Sequence, residues 1–264
     1  MIFINDLDIA AEIAGALVKK LADDTKCYMV VKTEEDQISF QAMLDILEKW
    51  SNDWQMLFNM VKCHVIHAGK QNPKFGYQWG GGDLVVADAE KDVGVMVTSN
   101  LKPSVQCARA AKKANMVLGQ LARGVSYRDR VTFIRLYQVF VLPHLSYAVS
   151  AWAPYSKADM EVLEKVQQRA VMMVTNLRGS YEERLAVLGL RNLQDRRIRG
   201  DLIETYKILT KKSDVDSSTW FNLAREKDGT VSTRAATGYL NLVPPPVPRT
   251  DLRRNFYSHR VVPL

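Results

Sequence analysis

The spacing of apolar and polar positions changes character three times along the chain. Between Ala16 and Lys32, two short runs rich in apolar and β-branched residues flank the pair Asp23-Asp24. In the second run Cys27, Met29 and Val31 alternate with Tyr28 and Val30, which puts the two sets on opposite faces of a strand. The segment therefore reads as a β-hairpin with two carboxylates at its tip. From Glu34 to Trp54 the period lengthens, and Phe40, Met43, Leu44, Leu47, Trp50 and Trp54 recur at intervals of three and four. This predicts an amphipathic helix beginning near Thr33, with Glu34, Glu35 and Asp36 in the first turn where the helix dipole favours acids. Two short strands are expected next, Cys63 to His67 and Leu84 to Ala87, separated by Gly80-Gly81-Gly82. The triple glycine lacks the Gly-Lys-Ser/Thr ending of a phosphate-binding loop and reads as a hairpin turn.

From Ser104 to Leu209 the pattern is helical. Cys107, Ala110, Ala111, Ala114, Leu118 and Leu121 form one stripe; Phe133, Leu136, Tyr137 and Phe140 form a second that stops before Pro143. A third helix is announced by Ser156 with Asp159 three residues on, resembling a capping box, and runs through Leu163, Val166, Ala170 and Met173. A fourth spans Leu193 to Leu209. Stripes of this kind pack against neighbouring helices, so Met172, Met173 and the tryptophans are read as core rather than as a cofactor box. Beyond Ser213 the periodicity is lost and Pro244-Pro-Pro-Val-Pro248 breaks any helix, which predicts a loosely ordered tail with one helical turn. Short hairpins followed by helices make an α+β fold.

Charge alters this picture more than composition does. The 264 residues are 47% hydrophobic and 25% charged, globular proportions that exclude wholesale disorder. The net +7 is unevenly spread: residues 1–97 carry −6, residues 98–212 carry +11 and residues 213–264 carry +2. A basic middle suits a polyanionic partner, because Lys and Arg neutralise phosphates and release counterions; the alternative is a set of solvated helix faces. The basic side chains form two groups off the apolar stripes, Lys112, Lys113, Arg123, Arg128, Arg130 and Arg135, then Arg191, Arg196, Arg197 and Arg199.

Three dispersed cysteines, Cys27, Cys63 and Cys107, argue against a disulfide framework and for a reduced, intracellular setting, the cytoplasm or nucleus. No apolar run approaches the ~18 residues needed to span a bilayer, and the N-terminus has no basic start followed by an apolar core, so no membrane association is expected. Cys63, His64 and His67 fall short of the roughly four ligands of a zinc site and read as part of a strand and its turn.

Adjacent carboxylates at a hairpin tip repel one another unless a cation compensates them, so Asp23 and Asp24 are candidate Mg²⁺ ligands, although Asp-Asp-Thr alone reads more readily as a polar turn. In two-metal phosphoryl transfer, carboxylates hold ions roughly 4 Å apart, and a further acid must come from another strand.

A longer string of blocks bears on the choice: Ile2 to Asp8, Leu21-Ala-Asp-Asp-Thr-Lys26, Trp50 to Asn59, Glu90 to Val95, Leu101-Lys-Pro-Ser104, Ala111 to Asn115, Pro143 to Tyr147, Leu163 to Ala170, Tyr181 to Leu185, Arg197 to Ile203 and Arg249 to Arg254. In this order they resemble the reverse transcriptases of non-long-terminal-repeat, jockey-like retrotransposons over nearly the whole chain. The resemblance implies an RNA-directed DNA polymerase using Mg²⁺ on an RNA template and DNA primer. Asp23 would ligate the catalytic ion and Asp24 assist. Residues 1–97 would be a partial palm, residues 98–212 a helical thumb and post-thumb region gripping the duplex backbone, and residues 213–264 the tail. Leu21 departs from the aromatic residue the family carries before Ala-Asp-Asp. The family's other metal-binding Asp strand, fingers and glycine-rich block lie upstream of the matched stretch, and Asp6 and Asp8 match the stretch just before the hairpin rather than that strand. The block from Arg254 to Val262 continues in the family into a Trp-Asn pair. The expectation is a polymerase portion without turnover of its own; a non-catalytic nucleic-acid-binding module and an inert relic are the alternatives.

Overall fold

Thr33 sets the start of the first long helix. Its hydroxyl accepts from the Asp36 backbone N–H at 3.3 Å, while the Asp36 carboxylate accepts from the N–H groups of Thr33 and Lys32 at 3.0 and 2.8 Å. This reciprocal cap satisfies donors a helix end otherwise leaves open, and those backbone N–H groups hold the Asp36 carboxyl below its ordinary range. The computed structural model describes residues 7, 16–22, 24–222 and 242–263. They form a mixed α+β chain that divides into two compact units, Met1–Leu101 and Lys102–Leu264.

In the first unit, β1 (Leu17–Leu21) pairs antiparallel with β2 (Asp24–Tyr28), and the Thr33 cap opens α1 (Glu34–Asp53). Met43, Leu44, Leu47 and Trp50 of α1 are buried with Leu7, Ala16 and Tyr77, and Val18, Cys27 and Met29 of the hairpin pack against them. Each buried large side chain contributes roughly 1.5–3 kcal/mol. Trp54 falls just past the last turn and is exposed, so the apolar stripe ends one turn earlier than the spacing predicts.

The strand expected from Cys63 to His67 is shorter. A 3₁₀ turn at Met60–Lys62 precedes β3 (His64–Val65), because the Asn59 side chain accepts from the Val61 N–H at 3.1 Å and caps the turn. β4 (Gln78–Trp79) and β5 (Gly82–Asp83) make a hairpin closed by Gly80 and Gly81, both at positive φ (60° and 75°), the left-handed conformation such a two-residue turn requires. β6 (Val85–Val86) pairs parallel with β3, and β7 (Ala89–Asp92) pairs antiparallel with β8 (Val95–Thr98). The polar side of α1 holds the backbone of the β4 hairpin: Gln41 donates to Gln78 O (2.9 Å) and accepts from Gln78 N–H (2.8 Å), Gln37 donates to Gly76 O (3.2 Å), and Glu48 accepts from Gly80 N–H (3.0 Å).

The second unit is helical. α2 (Ser104–Gly124) packs its small-residue stripe, Cys107, Ala110, Ala111, Ala114 and Leu118, along a later helix, α6 (Lys157–Met172). Between them lie α3 (Arg130–Leu136), a π-helical turn at Tyr137–Val141, α4 (Leu142–Ser146) and α5 (Val149–Trp152). The second stripe does not stop before Pro143. Proline has no N–H to return to the carbonyl four residues back, and the π turn just before it absorbs the mismatch while the helix resumes with Pro143 in its first turn. The wider turn moves the buried face from Phe140, which is exposed, to Val141, which is fully buried. α7 (Tyr181–Leu188) opens with a full capping box at Ser180 and Glu183, and α8 spans Leu193–Leu209.

The expectation of a loosely ordered tail is corrected for its described residues. α9 (Ser217–Trp220), α10 (Asp251–Arg254) and α11 (Tyr257–Val261) bring Phe221, Tyr257 and Val261 into a core with Ile208 of α8. Arg260 fastens them: its Nε and Nη2 donate to the Asp201 carboxylate at 2.9 and 3.1 Å, and Nη2 also donates to Ser150 O at 2.8 Å. The Asp201 side chain is 5% exposed. No helix among the described residues is long and apolar enough to cross a membrane.

Removing one partner of such a pair leaves a buried charge uncompensated. Arg260→Met is expected to lower unfolding stability by about 3 kcal/mol in a urea titration, and Asp201→Asn with Arg260→Met together should recover part of that loss.

Candidate functional site

The hairpin is the element on which the carboxylate hypothesis rests. Leu21 pairs with Asp24, so the connection is the two residues Ala22 and Asp23, and Ala22 takes the left-handed conformation (φ 56°) that a tight two-residue turn imposes. Asp23 itself lies outside the described residues, as do Asp6 and Asp8. Asp24 opens β2 and is exposed on the outer face of the hairpin, opposite the face formed by Val18, Cys27 and Met29. Lys26, two residues on and on the same face, pairs with Asp92 of β7. On β3, His64 Nδ1 lies 3.3 Å from Glu90. His67 is buried, and with Lys74 nearby as a lesser cause, desolvation pushes its pKa below the ordinary histidine value. Burial also pushes the Cys27 thiol up to about 11, far from a reactive thiolate at neutral pH.

Mg²⁺ demands near-octahedral oxygen ligation, commonly through more than one carboxylate. Among the described residues no group of three His, Cys, Asp or Glu side chains converges where an ion could sit, and Asp24 stands as a single described donor at the hairpin. The described residues do not make up a magnesium site.

The basic residues of the second unit separate into three environments. Lys112, Lys113 and Arg123 lie on the exposed face of α2, opposite the stripe packed on α6, in a helix with no acidic residue. Arg109, one turn before Lys112 and Lys113, belongs to the same face. Sequence reasoning passed over it, although its spacing of three and four from the two lysines was the available signal. Arg130 and Arg135 are exposed on α3, and Arg191, Arg196 and Arg199 are exposed at or just before α8.

Two arginines are structural in their placement. Arg128 is partly buried: its Nη2 donates to Ala122 O at 2.6 Å, and its own carbonyl accepts from Thr175 N–H and hydroxyl at 2.9 and 3.0 Å, tying the turn after α2 to the end of α6. Arg197 corrects the expectation that the basic residues lie off the apolar stripe. It is 7% exposed, and desolvation lowers its pKa against the attraction of Glu164, Cys107 and Asp201. A helix of period 3.6 turns position 197 inward and 196 and 199 outward.

No family model matches the chain, and no solved structure matches it. An uncharacterized protein of Caenorhabditis elegans is 27% identical over 127 residues, a stretch covering 47% of this chain and 64% of that protein, so the match spans less than two thirds of the relative's length.

The three environments predict opposite phenotypes. Lys112→Gln with Lys113→Gln should leave the thermal midpoint within a degree or two while lowering duplex affinity and reducing the slope of log K against log salt by up to about 0.9 per lost phosphate contact. Arg197→Ala should cost about 2 kcal/mol of stability in urea and leave that slope unchanged.

Proposed function

We propose that the chain is the carboxy-terminal portion of an RNA-directed DNA polymerase of a non-long-terminal-repeat retrotransposon, holding a template–primer duplex through its basic helices and not extending it by itself. The observation that carries the reading is the tight β1–β2 hairpin, its turn entered at Ala22 and its inner face seated on α1, within a chain whose sequence blocks follow that family's order. Asp23 and Asp24 would contribute ligands to the two Mg²⁺ ions in the parent enzyme, where the metal would supply activation of the primer hydroxyl and charge neutralisation at the pyrophosphate. A lone hairpin carboxylate pair cannot hold both ions, because each needs ligands from a second element.

The non-catalytic alternative, a nucleic-acid-binding module, is favoured by a separate observation, the acid-free exposed face of α2 carrying Arg109, Lys112, Lys113 and Arg123. Contacts of this kind meet phosphates and position a duplex without reading its sequence.

Primer extension on an RNA template with Mg²⁺ tests the polymerase reading, using this chain and Asp23→Ala. No extension is expected from either. Extension by the parent chain that persists in Asp23→Ala would remove the assigned role of that residue, and salt-insensitive duplex binding would remove the grip.

A further inference from the structure

A concavity lies far along the chain from the hairpin, at the C-terminal helical turns. It has a volume of about 440 Å³ and is lined by Thr219, Thr250, Leu252, Arg253, Phe256, Ser258 and His259. Its polar lining consists of one guanidinium, one imidazole and three hydroxyls, and no carboxylate lines it. The acids nearest in sequence are already engaged. Asp216 accepts from the Ser218 N–H and hydroxyl at 2.9 and 2.7 Å, and Asp251 pairs with Arg254 at 3.0 Å.

Arg253 makes no ion pair among the described residues, whereas its neighbours Arg254 and Arg260 both do. Its Nε donates to His259 Nε2 at 3.5 Å, and the rest of the exposed guanidinium makes no hydrogen bond among the described residues. His259 Nδ1 is buried and has no partner among the described residues, so the imidazole is held in place by its packing and by Arg253. One wall is aromatic: the Phe256 ring lies parallel to Trp220 (7° between planes, centroids 5.7 Å apart) and is half exposed.

We propose that this cavity binds the phosphate of a nucleotide, with Arg253, Thr219 and Ser258 donating to the phosphate oxygens, His259 supporting Arg253, and the ring of Phe256 offered to the sugar or base. A guanidinium fork matches phosphate geometry, hydroxyls supply the remaining donors, and the absence of a lining carboxylate leaves the anion unopposed. The volume exceeds what a bare phosphate fills and suits a ligand of nucleotide size. The assignment stands independently of the polymerase reading. The phosphate comes either from a free mononucleotide or from the 5′ end of a nucleic acid.

Calorimetric titration of the full chain with adenosine 5′-monophosphate and with adenosine tests it. The monophosphate is expected to bind and adenosine not, with Arg253→Gln weakening the monophosphate about tenfold or more and Lys49→Gln, at an exposed position of α1, leaving it unchanged. A 5′-phosphorylated oligonucleotide that outcompetes its 5′-hydroxyl counterpart, with the preference lost in Arg253→Gln, assigns the ligand to a nucleic-acid end; competition by neither oligonucleotide assigns it to the free nucleotide, and equal competition by both overturns recognition of a terminal phosphate. Should Arg253→Gln fail to fold, Thr219→Val, a near-isosteric change at an exposed position, is expected to weaken binding severalfold. Equal affinity for monophosphate and adenosine, no binding at millimolar monophosphate, or an affinity untouched by these variants would overturn the proposal.

Discussion

The helical unit depends on one buried amide. Gln167 of α6 is 1% exposed, and in that position each polar atom must find a protein partner. Its carbonyl oxygen accepts from the Tyr137 hydroxyl at 2.8 Å, and its nitrogen donates to Tyr181 Oη at 3.0 Å and to Arg191 O at 2.9 Å. The Tyr181 hydroxyl in turn donates to Glu164, whose other oxygen accepts from the Leu193 N–H at 3.0 Å and so caps the start of α8. One turn of α6 therefore fixes the π turn, α7, the following loop and α8. Desolvation, reinforced by its phenolic and carboxylate neighbours, pushes the Tyr137 hydroxyl well above its ordinary value, which keeps it a donor at any physiological pH.

A second polar centre on α8, Asp201, does the same for the chain's end. It takes two bonds from Arg260 and one from the Ser150 hydroxyl at 2.8 Å, and its carbonyl accepts from Tyr257 at 3.3 Å. Arg197 lies one turn before Asp201 on the inner face of α8, attracted by both Glu164 and Asp201, the carboxylates of the two networks. Burying an arginine is tolerable there because two acids share its charge, and the helix can then present Arg196 and Arg199 to solvent. The exposed basic surface and the buried ionic core are thus two sides of the same helix, set by its period.

What the sequence made legible follows from how local each cause is. The Thr33 cap, the α1 stripe as far as Trp50, the glycine turn at Gly80-Gly81, the Ser156 start and the full extent of α8 each depend on residues within a few positions of one another, and each is found where the spacing put it. The misreadings come from causes that are not local. Asp201 and Arg260 are 59 residues apart, so nothing in the stretch after Ser213 announces that it docks on α8. Arg197 sits in a run of basic residues that reads as one surface, and only the angular position of the helix separates it from its neighbours. The shift from Phe140 to Val141 required a π turn, which a 3.6-residue period does not contain. At the hairpin the inner face was legible and the tip was shifted: Asp24, expected at the turn, pairs with Leu21 as the first residue of β2, and the ligand environment of a metal depends on elements brought together in space.

The hairpin itself carries a physical tension that bears on the polymerase reading. Two strands alone are marginal, and β1–β2 is held by its inner face on α1 and by the Lys26–Asp92 pair. Its outer face leaves Leu17, Leu21 and Tyr28 open to solvent, at 56%, 56% and 42% exposure, on either side of the Lys19–Lys26 pair. Under the proposed polymerase reading, chemistry would require a further acid-bearing strand against this face, whereas a grip on phosphates would require only α2 and its packing on α6. Those requirements fall on different units of the chain and would be removed by different substitutions.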